Sequence, residues 1–291
     1  MTDRSLSEER SDESKGRGFE PWLVALDIDG TVLHEDETLD EVVVAAVAAA
    51  RDRGHEVTLA TGRSWHTTEP ILRALDLRPE YVVCANGAIV VRRMGDVFEG
   101  EGEPEYVRAH VETFDPTEVL TRIRDHLPDG RFMVELADGK RLYTAGMVDW
   151  DLTNASQVAF DALLGSRCTR VVVVSPDHEL EDFLRIVDEM GLHKVSYAVG
   201  WTSWLDIAPD GVNKATGMER VRDALGIPGS RVFTAGDGRN DIDMFEWTVA
   251  GGGVAVAMGQ APDEVKAVAS EVTGTDVDDG LAATLSRHFQ S

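Results

Sequence analysis

Short apolar runs alternate with amphipathic segments from Pro21 onward, and this alternation constrains the fold more than any other feature of the chain. The run PWLVALD precedes a segment of helical pattern that ends near Arg53, and the run HEVTLAT precedes another around residues 69–75. Repeated strand–helix–strand units imply parallel strands joined by right-handed crossovers. The sequence therefore predicts an α/β fold with a doubly wound, mostly parallel core sheet.

Two local patterns refine this prediction. The residues Thr38-Leu39-Asp40-Glu41 have the spacing of a capping box, which predicts a helix start at this point. The run YVVCANGAIV predicts a third strand, broken by Asn86-Gly87. Later in the chain, the pattern predicts a helix from about Lys214 to Leu225, the strand RVFTAGD and the strand GVAVAM.

The alternation is interrupted between about residues 90 and 205. There RFMVELADGKRLYTAG predicts a hairpin that turns on Asp138-Gly139, and further strand-like runs flank a helix from Asp177 to Met190. We therefore predict a core made of residues 19–89 and 206–291, with an inserted α/β domain at 90–205. Residues 1–18 are polar and lack an apolar core, which predicts a disordered tail.

The formal net charge of −25 argues against nucleic acid and anionic membranes as partners. Two cysteines, Cys84 and Cys168, imply no disulfide framework in a chain of 291 residues. The longest purely apolar run, Val42 to Ala50, is too short to span a bilayer, and the N-terminus does not resemble a secretion signal. We expect a cytoplasmic protein that is a monomer or a small homo-oligomer.

Chemically reactive side chains cluster at predicted strand ends and helix starts. They are Asp27 and Asp29 after the first strand, Thr61-Gly62-Arg63 after the second, Lys214 at a helix start, and Asp237-Gly238-Arg239-Asn240-Asp241 after a late strand. Each alone is commonly a turn or a surface loop, and the last lacks the glutamate that an EF-hand needs. Ligands of doubly wound sheets bind at the carboxyl ends of strands, so together these segments predict one site.

These segments resemble a known family. DIDGT, LATGR, GVNKATG and GDGRNDIDM are similar to the four motifs of the haloacid dehalogenase superfamily, a group of Mg²⁺-dependent phosphohydrolases with a Rossmann-like core. The stretch VAVAMGQAPDEVKAVASEVTGTDVDDGLAATL resembles the Cof-type branch, in which a large α/β cap lies between the second and third motifs. Gln260, where the branch more often has Asn, and the glycines at 251–253 depart from the pattern. We expect both departures to lie away from the chemistry.

The resemblance implies a phosphatase that hydrolyses small phosphate monoesters, such as sugar phosphates or related metabolites, through an aspartyl-phosphate. Asp27 would be the nucleophile, and Asp29 the acid and then the base. Mg²⁺ would be held by Asp27, the Asp29 backbone carbonyl and Asp237, with Asp241 acting in the outer shell or through water. The residues that would bind the phosphoryl group are Lys214, Thr61, Gly62 and Asn240. For Asn86-Gly87-Ala88, a direct role and plain turn formation stay equally open.

Other interpretations compete with this one. A sugar phosphomutase would release an isomeric phosphate ester instead of free phosphate. A phosphoacceptor signalling module also combines an aspartate, Mg²⁺, a threonine and a lysine, but it has no place for the insertion. A catalytically idle metal-binding relative is disfavoured by the complete set of motifs. Arg63 could contact the substrate, and so could four residues of the inserted segment: Arg131, Tyr143, His193 and Trp201. Side chains of these types more commonly lie in the core or on the surface than against a ligand.

Overall fold

The computed structural model describes residues 19–94, 106–146, 155–176, 178–192, 195–199 and 204–290. The predicted tail at 1–18 lies outside these residues. In chain order the strands are β1 Leu23–Leu26, β2 Glu56–Leu59, β3 Tyr81–Cys84, β4 Ile89–Arg93, β5 Tyr106–Val111, β6 Arg131–Leu136, β7 Arg141–Tyr143, β8 Ala155–Gln157, β9 Cys168–Val174, β10 Val195–Val199, β11 Trp204–Pro209, β12 Val232–Gly236, β13 Val254–Ala257 and β14 Glu271–Val272. The helices are α1 Glu41–Asp52, α2 Trp65–Ala74, α3 Thr117–His126, α4 Leu180–Met190, α5 Lys214–Leu225, α6 Ile242–Ala250, α7 Asp263–Val268 and α8 Gly280–Phe289.

The core is a parallel sheet with helices on both faces. Its five strands lie in the order β14-β13-β12-β1-β2, and all neighbouring pairs are parallel. All four residues of β1 are buried, and they alternate between two apolar clusters. Val24 and Leu26 pack with residues of α1, α2 and α8, whereas Leu23 and Ala25 pack with residues of α5, α6 and α7. The doubly wound, mostly parallel Rossmann-like core is therefore confirmed.

The predicted third strand is two strands. β3 lies beside β2 through a parallel bridge between Ala60 and Val83, and β4 then runs back antiparallel to β3. The chain reverses at the 3₁₀ turn Ala85–Gly87, where Asn86 and Gly87 both have positive φ. The prediction of one interrupted strand was wrong because this left-handed turn redirects the backbone instead of interrupting it.

A second sheet is built from later strands. Its six strands lie in the order β10-β11-β9-β6-β7-β8, and all pairs are antiparallel except β7 with β8. The predicted hairpin is confirmed, with Gly139 at φ +84° between β6 and β7. Helices α3 and α4 cover one face with apolar residues. Strand β4 pairs with β3, and β5 pairs with β4, so both continue from β3 although they follow residue 89 in the chain. The predicted boundaries of the inserted domain at 90 and 205 stay a prediction.

Two helix starts differ from the sequence prediction. α1 begins at Glu41 without a side-chain cap, because the Thr38 hydroxyl donates to Asp36 at 2.6 Å. The predicted capping box at this helix was therefore wrong. A capping box occurs instead at α5, where Asn213 and Thr216 exchange hydrogen bonds just before and after Lys214. α2 starts at Trp65, four residues before the predicted start near Glu69.

Candidate active site

The predicted site residues meet at the carboxyl end of the core sheet. Asp27 follows β1, Thr61 follows β2 and Asp237 follows β12, while Lys214 and Asp241 stand where helical segments begin. All five side chains are buried. Strands that are neighbours and parallel end at the same edge, which is why Asp27 after β1 and Asp237 after β12 converge here although they are far apart in sequence.

Lys214 is the positive centre of this cluster. Its ammonium nitrogen Nζ lies 2.7 Å from Asp27 Oδ1 and 2.7 Å from Asp241 Oδ1. A cation at the N-terminus of a helix opposes the helix dipole, and burial adds a desolvation cost. Burial therefore disfavours the charged form of Lys214, but the Asp241 and Asp27 carboxylates outweigh it and raise the pKa of the ammonium. Lys214 remains a cation held by two carboxylates.

Three carboxylates converge around that single cation. Asp27, Asp237 and Asp241 each offer an oxygen, and the three oxygens lie within 4.8 Å of one another. Burial, followed by the Asp241 charge, raises the pKa of Asp27 from 3.8 to about 7, although Lys214 acts in the opposite direction. Burial and the Asp27 charge raise the pKa of Asp237 to about 8. Three ionised carboxylates would exceed the charge of the lysine, and a hard divalent cation such as Mg²⁺, which prefers carboxylate oxygens, fits the donor set.

Backbone and side-chain contacts hold these carboxylates in place. The N–H groups of Asp237 and Gly238 donate to Asp241 Oδ2 at 3.1 and 3.0 Å. Gly30 has φ +70°, and a Cβ there would lie 2.1 Å from Asp237 Oδ2. Only glycine therefore allows this loop to approach Asp237.

Gln260 takes part in the site, contrary to our expectation. Its Nε2 donates to the Gly30 carbonyl at 2.5 Å and lies 3.4 Å from Asp237 Oδ2. Its Oε1 accepts the N–H of Asp276 at 3.2 Å. The expectation that Gln260 lies away from the chemistry was wrong, because the loop after β13 folds back over the end of β1. Gln260 therefore supports the loop that carries Gly30.

Asp29 differs from Asp27 in exposure and in partner. Its side chain is 58% exposed and pairs with Arg63, whose Nε lies 3.0 Å from both carboxylate oxygens. Arg63 also reaches Glu37 at 2.9 Å. The sequence left Arg63 open between a surface residue and an attractor of substrate, and its contact with Asp29 depends on loop geometry that no motif encodes. The structure places Asp29 at the solvent side of the cluster, held by a cation.

The predicted phosphoryl-binding residues surround the turn Ala85–Gly87. The N–H of Asn86 donates to the Thr61 carbonyl at 3.0 Å, and Asn240 Nδ2 donates to Asn86 Oδ1 at 3.0 Å. A Cβ on Gly62 would lie 3.2 Å from the Asn86 amide, so glycine permits this close packing. Thr61, Gly62 and Asn240 therefore meet around Asn86, while their roles stay predictions.

Of the inserted residues considered from the sequence, Arg131 donates to the Gly146 carbonyl at 2.6 Å, and Tyr143 packs against Met133 and Val172. His193 and Trp201 lie outside the described residues. Within the parts of the chain that the structure describes, no helix is both long and apolar enough to cross a bilayer.

Comparisons with known proteins identify the family of the chain. Residues 24–285 match the family model of haloacid dehalogenase-like hydrolases. The chain is 27% identical over 277 residues to a 5-amino-6-(5-phospho-D-ribitylamino)uracil phosphatase of Bacillus subtilis, covering 92% of this chain and 98% of that protein. It is 28% identical over 283 residues to a pyridoxal phosphate phosphatase of Escherichia coli, covering 92% and 98%.

The fold has solved counterparts. A haloacid dehalogenase-like hydrolase from Bacteroides thetaiotaomicron superposes with a TM-score of 0.70 at 19% identity, covering 93% of this chain and all of that one (100%). At this identity the likeness concerns the fold, whereas the match to the family model concerns the sequence. The four motifs, the edge of the sheet where they meet and these comparisons lead to one conclusion: the chain belongs to the haloacid dehalogenase-like hydrolases, in their Cof-type branch.

Proposed function

We propose that this protein is a Mg²⁺-dependent phosphatase that hydrolyses small phosphate monoesters, such as sugar phosphates or related metabolites, through an aspartyl-phosphate on Asp27. The observation that carries the proposal is the buried Asp27 carboxylate, which lies 2.7 Å from Lys214 and beside Asp237 and Asp241. Two relatives of known substrate also hydrolyse phosphate monoesters, which supports the same reaction class.

Asp27 is the nucleophile in this proposal. One of its oxygens accepts from Lys214, which orients the carboxylate and opposes the rise in its pKa. A carboxylate oxygen of Asp27 forms a bond to phosphorus while the bond from phosphorus to the alcohol oxygen breaks. Water then attacks the aspartyl-phosphate, free phosphate leaves and the Asp27 carboxylate is restored. Splitting the hydrolysis in this way replaces one very slow step with two faster ones.

Asp29 moves the protons. It gives a proton to the departing alcohol oxygen, and it later takes a proton from the attacking water, so it ends the cycle as it began. Its carboxylate is paired with Arg63 in the structure. Asp29 must leave Arg63 to reach the leaving group, and its exposure permits that movement.

Lys214, Thr61, Gly62 and Asn240 bind the phosphoryl group in this proposal. An ammonium has three donors, and two of those of Lys214 point to Asp27 and Asp241, which leaves the third for a phosphoryl oxygen. Mg²⁺, held by Asp27, the Asp29 carbonyl and Asp237, with Asp241 in the outer shell or acting through water, would neutralise charge on the phosphoryl oxygens. We also infer a cytoplasmic protein, monomeric or a small homo-oligomer, that binds neither nucleic acid nor membrane.

A panel of phosphate monoesters tests this function. We expect free phosphate to be released from one or more sugar phosphates or related metabolites with Mg²⁺, and turnover to stop with a chelator and return when Mg²⁺ is added. The measurement is phosphate release combined with analysis of the organic product. An isomeric phosphate ester in place of free phosphate would identify a phosphomutase. A stable phosphoprotein with hardly any turnover would identify a phosphoacceptor module.

A further inference from the structure

The turn between β3 and β4 has an unusual backbone. Ala85, Asn86 and Gly87 have consecutive positive φ values of +49°, +48° and +96°. Non-glycine residues seldom adopt this region, and such conformations persist only where their surroundings hold them. Backbone strain of this kind concentrates at functional sites. The turn therefore needs a structural explanation beyond reversing the chain.

Contacts to the site hold the turn. The N–H of Asn86 donates to the Thr61 carbonyl at 3.0 Å, and the N–H of Ala85 donates to the Arg63 carbonyl at 2.8 Å. On the other side, a Cβ on Gly87 would lie 2.0 Å from the carbonyl oxygen of Asn213, the residue before Lys214. The turn thus touches both the loop after β2 and the start of α5.

A chain of hydrogen bonds, buried except at its Asn240 end, runs through Asn86 from the second sheet to the core. Asp206 on β11 accepts from Arg170 Nε on Oδ1 at 2.6 Å and from Asn86 Nδ2 on Oδ2 at 2.7 Å. Asn86 Oδ1 then accepts from Asn240 Nδ2 at 3.0 Å. Asp206 is 2% exposed and Asn86 is 8% exposed. We call these four residues, Arg170, Asp206, Asn86 and Asn240, the Asp206 chain.

The Asp206 chain fixes the direction of the Asn86 amide. A carboxylate only accepts, so the NH₂ group of Asn86 must face Asp206, and the Asn86 carbonyl oxygen must face Asn240. Asp206, Asn86 and Asn240 line one cleft, together with Asn213 and Lys214. The side chain of Asp206 thus determines, through one amide, how Asn240 is presented beside Lys214.

We propose that Asp206 and Asn86 are positioning residues for the phosphoryl pocket: Asp206 orients Asn86, and Asn86 holds Asn240 and the Thr61 loop where they meet a phosphoryl oxygen. The proposal rests on the proposed function. It adds Asp206, a residue of the second sheet, to the residues that set the affinity for phosphate. It also gives the strained turn a role, because in this left-handed conformation Asn86 makes its backbone contact to Thr61 while its side chain spans Asp206 and Asn240.

Two variants test the proposal by the binding of inorganic phosphate at saturating Mg²⁺, measured by calorimetry. Asp206→Asn keeps the shape, but with its oxygen accepting from Arg170 it turns an NH₂ group toward Asn86. Either the bond to Asn86 is lost, or the Asn86 and Asn240 amides turn over and Asn240 presents the opposite atom to the pocket. Asn86→Gly keeps the left-handed backbone, which glycine adopts freely, and removes the amide bridge. We expect each to weaken phosphate binding by about five- to tenfold, with kcat/KM falling by a similar factor and the affinity for Mg²⁺ unchanged.

A matched control separates positioning from general loosening. Thr248→Val removes a buried hydroxyl of α6 that bonds to Met244 and Thr234, away from the Asp206 chain. It should bind phosphate like the wild type. The proposal is overturned if Asn86→Gly binds phosphate as tightly as the wild type, or if Thr248→Val shows the same loss. Should Asp206→Asn not fold, Asn86→Gly decides alone. A wild-type protein that binds no phosphate would instead overturn the proposed function, and this proposal with it.

Discussion

Replacing Asp27 with asparagine will lower turnover of phosphate esters by at least about 10⁴-fold, because an amide oxygen is far too weak a nucleophile to attack phosphorus. The Asp27→Asn variant keeps the shape of the side chain, and Lys214 keeps its 2.7 Å contact with Asp241. The measurement is phosphate release at saturating substrate and Mg²⁺, alongside the melting temperature of each protein.

The same variant makes a second, independent prediction about stability. Since burial and Asp241 raise the pKa of Asp27 to about 7, the ionised wild-type carboxylate destabilises the metal-free fold above that pH. Removing the charge should therefore leave the melting temperature of the metal-free protein at pH 8 unchanged or higher. Asp223→Asn, at the far end of α5 and exposed, is the matched control and should retain full activity. Turnover by Asp27→Asn within tenfold of the wild type would contradict the assignment of the nucleophile.

Replacing Lys214 with methionine should have the next largest effect. The change removes the cation that lies 2.7 Å from both Asp27 and Asp241, and it leaves three buried carboxylates facing one another. We expect turnover to fall by at least about 10³-fold, because both the nucleophile and the phosphoryl group lose their partner. Breaking a buried ion pair typically costs about 3–5 kcal/mol, so the metal-free variant should also be much less stable at pH 8.

The stability loss of Lys214→Met should depend on pH in a defined direction. The pKa values of Asp27 and Asp237 are raised from 3.8 to about 7 and about 8. Between pH 3.8 and about 8 the folded state therefore binds more protons than the unfolded chain. Stability of the metal-free protein therefore falls as pH rises through that range. Without Lys214 the stability should fall more steeply with pH, because no cation offsets the carboxylates as they ionise. At pH 5, where Asp27 and Asp237 are protonated, the stability of the metal-free variant should approach that of the wild type. Lys266→Met on α7 is the control. Equal stability of Lys214→Met and wild type at pH 8 would contradict the role of Lys214.

The sequence predicts the parts of this site that depend on one rule of α/β folds. Asp27, Thr61 and Asp237 each follow an apolar run, and Lys214 and Asp241 stand at helix starts, so their convergence follows from the common edge of parallel strands. The doubly wound core follows from the alternation of strands and helices for the same reason. Both predictions, the doubly wound core and the convergence of the site residues, require only the order of strands and helices along the chain.

The remaining features depend on contacts that no local pattern encodes. The hydrogen bond from Asn86 to Asp206 joins two sheets across 120 positions of the sequence, and it needs a left-handed asparagine. The pairing of Arg63 with Asp29 depends on how two loops approach each other. Gln260 reaches Asp237 because the loop after β13 folds back over the end of β1. The signal that could have found Asn86 was its position, directly before a glycine and after a strand, in a turn that the sequence left open.

The central claim is that the phosphoryl group passes onto Asp27, and trapping it there tests that claim most directly. The Asp29→Asn variant, given Mg²⁺ and a phosphate ester whose leaving group needs no proton, should form the aspartyl-phosphate but hydrolyse it slowly, because no base activates water. After a rapid acid quench, peptide mass spectrometry should find a phosphoryl adduct on Asp27, and Asp27→Asn should show none. Turnover without an adduct, or an adduct on another side chain, would contradict the account.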